Sequence, residues 1–146
     1  MADSSSSAIT VEDFNDLIRE ELPFAWEQGF RVERLVAGEA TVRLPIDQAH
    51  LRPGGTVSGP AMMGLADYTM YAVVLSRIGR VKMAVTTNLN ANFLRLPPPR
   101  DLIAEGRLLK LGKRLAYGEV TIFSEGEEDP VCHVTSTYSL PPLGGA

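Results

Sequence analysis

Apolar positions near the start of the chain recur at helical spacing. Val11, Phe14, Leu17 and Ile18 share one face of a 3.6-residue period behind Thr10, a residue type that caps helix starts, and Pro23 ends the run. The spacing predicts a short amphipathic helix. From Phe30 the pattern turns β-like over residues 30–36 and 39–45, split by the turn pair Ala37-Gly38, which predicts a hairpin. Residues 47–58 contain Pro53, Gly54 and Gly55 and no sustained apolar period, so they read as a loop. That loop leads into the longest apolar element, GPAMMGLADYTMYAVVLS over residues 59–76. Ser58 or Gly59 suits its N-cap and Pro60 suits its first turn, so a helix is predicted. Beyond Arg80, β-type runs return over 83–94, 101–111, 114–124 and 130–140, separated by Pro97-Pro98-Pro99, by Gly112-Lys113 and by the acidic stretch 125–129. The order helix, hairpin, long helix, four strands predicts an α+β domain with one helix against one antiparallel sheet.

A chain of 146 residues has the size of one domain. Residues 1–9, Ser-rich and without the basic and apolar regions of a signal peptide, are expected to form a disordered lead to a single domain over 10–142. A formal charge of −4 and a pI near 5.2 argue against nucleic acid as the main partner, which calls for clustered Lys and Arg. Nothing in the sequence calls for a membrane. The single cysteine, Cys132, has no disulfide partner within the chain and no metal-ligand neighbour at CxxC spacing. The expectation is a cytoplasmic protein with no structural metal.

One residue does not suit its surroundings. The 59–76 helix is apolar all round, as a buried helix is, and Asp67 is its only charged residue. An ionised carboxylate is not buried without partners. A structural explanation is a hydrogen bond to a hydroxyl such as Tyr68, Thr69 or Thr86, or a place in a wet crevice at a subunit boundary. A functional one pairs the carboxylate with the helix start at Ser58, Gly59 and Pro60, where unpaired N–H groups and the positive end of the helix dipole favour an anion. Oxyanion donors and a carboxylate are the components that hydrolysis of an ester or thioester needs.

The stretch HLRPGGTVSGPAMMGLADYTMYAVV resembles the central-helix motif of hotdog-fold thioesterases, particularly the type associated with phenylacetate degradation. There, Gly-x-x-His-Gly-Gly precedes the helix and an aspartate follows nine positions after the histidine. The frame here is Gly55-Thr56-Val57-Ser58-Gly59-Pro60, with Asp67 on the aspartate's position. VTTNLNANFLRLPPP, LLKLGKRLAYGEVTIF and CHVTSTYSL resemble the later strands, so the likeness spans about residues 24–140. Two positions depart: the family's histidine is Ser58, and an asparagine six residues earlier is Arg52.

The resemblance implies a hotdog fold, a long central helix wrapped by an antiparallel β-sheet, and hydrolysis of an acyl-CoA. Asp67 would act as general base or nucleophile, the Gly59 N–H as oxyanion donor, and Thr86 as a hydroxyl near the carboxylate. Ser58 belongs to the same catalytic group. Strand alternation puts Thr86 on one face with Asn88, Asn90 and Asn92. Arg52, Pro60, Met63, Tyr71 and Asn88 are expected at the substrate, and the basic turn of Lys113 and Arg114 at the coenzyme A phosphates, a place that Arg95 or Arg100 could also fill. No metal or separate cofactor is implied. The site of such proteins lies between subunits, so a homodimer or a dimer of dimers is expected. His50 and His133 rank below Asp67. Two rival functions remain: a 3-hydroxyacyl thioester dehydratase, and a non-catalytic acyl-CoA binding or sensing protein.

Overall fold

The computed structural model describes residues 6–142. Helix α1, Val11–Glu21, starts where Thr10 accepts the Asp13 N–H at 3.0 Å, and it buries Phe14, Leu17 and Ile18. A second helix, α2, Pro23–Glu27, follows at once. Pro23 ends α1 as expected but also opens α2, because a first-turn position needs no N–H and accepts proline's fixed φ. Residues 1–5 of the expected lead lie outside the described residues. Within 6–9 the chain is docked: Ile9 is buried, and the Ala8 N–H donates to the Ser76 carbonyl at 2.7 Å.

Strands β1, Arg31–Val36, and β2, Glu39–Leu44, form the expected hairpin around Gly38, whose φ of 82° favours glycine. After the long helix α3, Gly59–Ile78, come β3, Val85–Phe93, β4, Leu102–Leu111, β5, Leu115–Ser124, and β6, Cys132–Ser139. All pairings are antiparallel, in the order β1-β2-β4-β5-β6-β3. The sheet wraps one face of α3. This is the hotdog arrangement.

The helix sits close to the sheet because two strand residues lack a Cβ. At Gly106 on β4 a Cβ would stand 2.8 Å from the Thr69 methyl, and at Gly118 on β5 it would stand 2.6 Å from the Met70 methyl and 2.7 Å from the Arg107 carbonyl oxygen. Side chains at both positions would push α3 outward. The core that results is continuous, with Leu65, Met70, Val73 and Leu75 of α3 fully buried against Val42, Leu44, Leu102 and Ile122. Among the described residues no helix is long and apolar enough to cross a membrane.

Strand β3 corrects one expectation. Its register against β6 slips between Thr86 and Asn88, so Thr86 pairs with Tyr138 while Asn88 pairs with Thr137. A bulge of this kind offsets the alternation by one residue. On β6, Cys132, Val134, Ser136 and Tyr138 are buried toward the helix and the residues between them are not. Thr86 therefore faces α3, whereas Asn88, Asn90 and Asn92 lie on the opposite face.

Candidate active site

Asp67 is half-buried, on the face of α3 toward the open end of the sheet. The Thr86 hydroxyl donates to Asp67 Oδ1 at 2.6 Å. The Tyr138 hydroxyl donates to the same oxygen at 2.9 Å and lies 3.1 Å from the Asp67 main-chain oxygen. Oδ2 has no partner among the described residues. Three elements build this arrangement: α3 carries the carboxylate, the β3 bulge turns Thr86 inward, and the alternation of β6 places Tyr138 inward. Tyr138 is 3% exposed, and its burial, reinforced by the charge of Asp67, holds its hydroxyl well above the ordinary tyrosine range. It remains a donor across the neutral range. Its ring stacks on Tyr71, with centroids 6.1 Å apart.

The carboxylate borders a cavity of about 750 Å³, within the size range of small-molecule sites. Pro60, Ala61, Gly64, Asp67, Tyr68 and Tyr71 of α3 form one wall. Ile18 of α1, Phe24 and Ala25 of α2 and Leu22 between the two helices form the other with Phe30. Most of this lining is apolar.

At the helix start the Ser58 hydroxyl oxygen accepts the Ala61 N–H at 3.3 Å, and Pro60 has no N–H. The Gly59 N–H is thus the one donor of the first turn without a partner among the described residues. The Cα of Gly59 turns toward Phe93, whose ring would lie 3.4 Å from a Cβ there. From Gly59 to Asp67 the helix advances eight residues, about 12 Å at 1.5 Å per residue. Within one subunit, these two groups are too far apart to act on the same carbonyl.

Of the residues expected from sequence, Ser58, Pro60, Asp67, Tyr71 and Thr86 line the cavity, with Gly59 between two of them. Arg52, Met63, Asn88, Lys113 and Arg114 are not part of its lining. Arg52 is exposed in the loop before α3, Met63 is exposed on another side of the helix, Asn88 is on the outer face of β3, and Lys113 and Arg114 are at the β4–β5 turn. His133 lies on the outer face of β6, 3.9 Å from Glu119. His50, ranked low from sequence, is buried and lines the cavity. Tyr138 was not expected; the available signal was a tyrosine at an inward position of the CHVTSTYSL alternation.

A family model described as the thioesterase superfamily matches residues 54–131. The chain is 45% identical to a provisionally assigned thioesterase from Silicibacter sp. TM1040, whose crystal structure aligns with a TM-score of 0.85 over 95% of this chain and 96% of that one. It is 28% identical to a variant of the phenylacetic acid degradation protein PaaI from Thermus thermophilus, with a TM-score of 0.72 over 82% of this chain and 99% of that one. A provisionally assigned esterase from Sulfurisphaera tokodaii is 31% identical over 123 residues, 82% of this chain and 89% of that protein.

Proposed function

The chain belongs to the thioesterase superfamily, and on that premise we propose that it hydrolyses an acyl-CoA to the free acid and coenzyme A with Asp67 as the catalytic carboxylate. The observation that carries this is the state of that carboxylate: two hydroxyls hold Oδ1, and Oδ2 is left free beside a largely apolar cavity. Oδ2 is the atom that acts, on water or on the carbonyl carbon. In the water route, Oδ2 takes a proton as the water oxygen bonds to the carbonyl carbon. The carbonyl electron pair moves to its oxygen, where the Gly59 N–H receives the charge. Collapse breaks the C–S bond, and the proton on Asp67 passes to the departing thiolate.

The axial distance between Gly59 and Asp67 supports a site shared by two copies, one giving the helix start and the other the carboxylate. Strand β3 suits such pairing: it is an edge of the sheet and carries exposed Val85 and Phe93. Lys113 and Arg114 have no ion pair among the described residues and are the cations we assign to the coenzyme A phosphates.

The test is release of free thiol from short, medium and aromatic acyl-CoAs, run beside Asp67→Asn. Turnover of at least one substrate is expected, with a loss of about 100-fold or more in the variant. Equal rates for the two proteins would make Asp67 structural. Tight binding without thiol release would favour the sensing function.

A further inference from the structure

The loop before α3 is folded onto the cavity. Asp47 caps a 3₁₀ turn, Gln48–His50, by accepting the Ala49 N–H at 3.2 Å, and Leu51 bridges to Val57. The Ser58 N–H donates to the main-chain oxygen of His50 at 2.8 Å, which ties His50 to the residue that caps α3.

His50 is 6% exposed, and the cavity borders it beside Ser58 and Pro60. Its Nδ1 accepts the Asp47 main-chain N–H at 3.0 Å. A ring nitrogen that accepts carries no hydrogen, so the neutral imidazole holds its proton on Nε2. The Nδ1 edge is turned to the Asp47 backbone, which leaves the Nε2 edge for the cavity. Nε2 has no partner among the described residues. Nε2 is not sealed in the core: the buried side-chain polar atoms left without a partner among the described residues are those of Thr56, Tyr68 and Ser124, so this N–H is open to the cavity, where a ligand oxygen can accept it.

The helix start is short of donors. Its first turn offers only the Gly59 N–H, since Pro60 has none and Ala61 is occupied by Ser58. An oxyanion is usually held by more than one donor.

We propose that His50 Nε2–H is a second donor to the carbonyl oxygen of the bound thioester, acting beside the Gly59 N–H. This rests on the thioester function proposed above. The imidazole supplies no proton to the reaction. It binds the oxygen, and binds it more strongly as negative charge develops there.

Two substitutions separate this role from a structural one. In His50→Asn the amide oxygen stands where Nδ1 does and keeps the Asp47 bond, but nothing reaches the Nε2 position. In His50→Gln the amide nitrogen reaches the Nε2 position and the Nδ1 acceptor is lost. The Asn variant is expected to melt like wild type while kcat falls about 100-fold at little-changed KM. The Gln variant is expected to melt lower yet keep kcat within about tenfold of wild type. Wild-type kcat in the Asn variant would overturn the assignment, as would losses in both variants that follow their melting temperatures. Binding settles the same question without turnover. Calorimetry compares a ketone analogue, with methylene in place of sulfur, and a thioether analogue that lacks the carbonyl. Wild type should prefer the ketone, and in His50→Asn, which keeps the Gly59 N–H, that preference should shrink about tenfold; an unchanged preference in the variant, or equal affinities in wild type, would also overturn the proposal. Absence of thiol release from wild type with the ketone preference intact would count against the hydrolase function and not against His50.

Discussion

Replacing Thr86 by Val and Tyr138 by Phe, singly and together, tests whether the two hydroxyls orient the carboxylate to which we assign the chemistry. Both donate to Oδ1 of Asp67, Thr86 at 2.6 Å and Tyr138 at 2.9 Å. The Thr86 bond has the length of a charge-assisted O–H···O⁻ bond and belongs at the strong end. Tyr138 shares its hydrogen with the Asp67 main-chain oxygen at 3.1 Å, which weakens each branch. Hydrogen bonds to charged groups contribute about 1.5–3 kcal/mol, and each 1.4 kcal/mol is about tenfold in rate. Thr86→Val should therefore lower kcat/KM about 100-fold and Tyr138→Phe about tenfold, provided the whole of each bond bears on the rate. The double variant should fall short of the product of the two, because a carboxylate freed by one loss has less order left to lose. Thiol release measures the rates. Urea unfolding measures stability, where loss of the buried Tyr138 bond should cost about 1 kcal/mol, too little to unfold a domain of ordinary stability. Wild-type kcat/KM in both single variants would refute an orienting role, and so would losses that match the fraction unfolded.

Two further outcomes follow from the same structure. Burial raises Tyr68 to about 12 and Cys132 to about 11, and raises Tyr71 and Tyr138 as well, from ordinary values of 10.0 for tyrosine and 9.0 for cysteine. As pH rises past those unfolded values, the unfolded chain gives up protons that the folded chain keeps, so stability should decline above about pH 9, by about 1.4 kcal/mol per pH unit for each such group; a urea midpoint constant from about pH 8 to about pH 11 would contradict this. If the site is shared, Asp67→Asn and Gly59→Pro should each be inactive alone. Refolded together in equal amounts they should recover about one quarter of wild-type activity, because half the dimers are mixed and each mixed dimer has one intact site. Pro at position 59 is the first helical residue, where it removes the N–H and little else. No recovery on mixing would place the whole site in one subunit.

Much of the fold was legible because its signals are local. Thr10, Ser58 and Pro60 mark helix starts, Gly38 marks the hairpin, and the apolar run over 59–76 marks the buried helix. The helix continues past Ser76 to Ile78, since Gly79, at a φ of 82°, ends it and not the loss of apolar character. Helix α2 was missed because Pro23 serves both as a stop for one helix and as a start for the next. At the site, Asp67 was visible as a charge in an apolar helix, and the helix start as a cap followed by proline. The basic and polar residues expected at the substrate do not all reach the cavity, because a surface cation carries no local mark of which surface it occupies.

What stayed hidden depends on pairing between segments far apart in sequence. No residue around Thr86 announces a bulge, yet without that extra residue in β3 either Thr86 would turn away from Asp67 or the polar stripe of Asn88, Asn90 and Asn92 would turn toward the helix with it. Tyr138 is 71 residues from Asp67, and its place is set by the count of residues along β6 from Cys132. His50 reads as a lone histidine until the Asp47 cap fixes its tautomer and the Ser58 bond brings it to the helix start. In each case the residue type was ordinary, and the pairing of distant segments brought it to the carboxylate or to the helix start. The carboxylate could be found from the pattern of the sequence alone because its placement is energetically unusual; its partners could not, because hydroxyls and a neutral imidazole carry no such mark on a strand or in a loop until a second segment meets them.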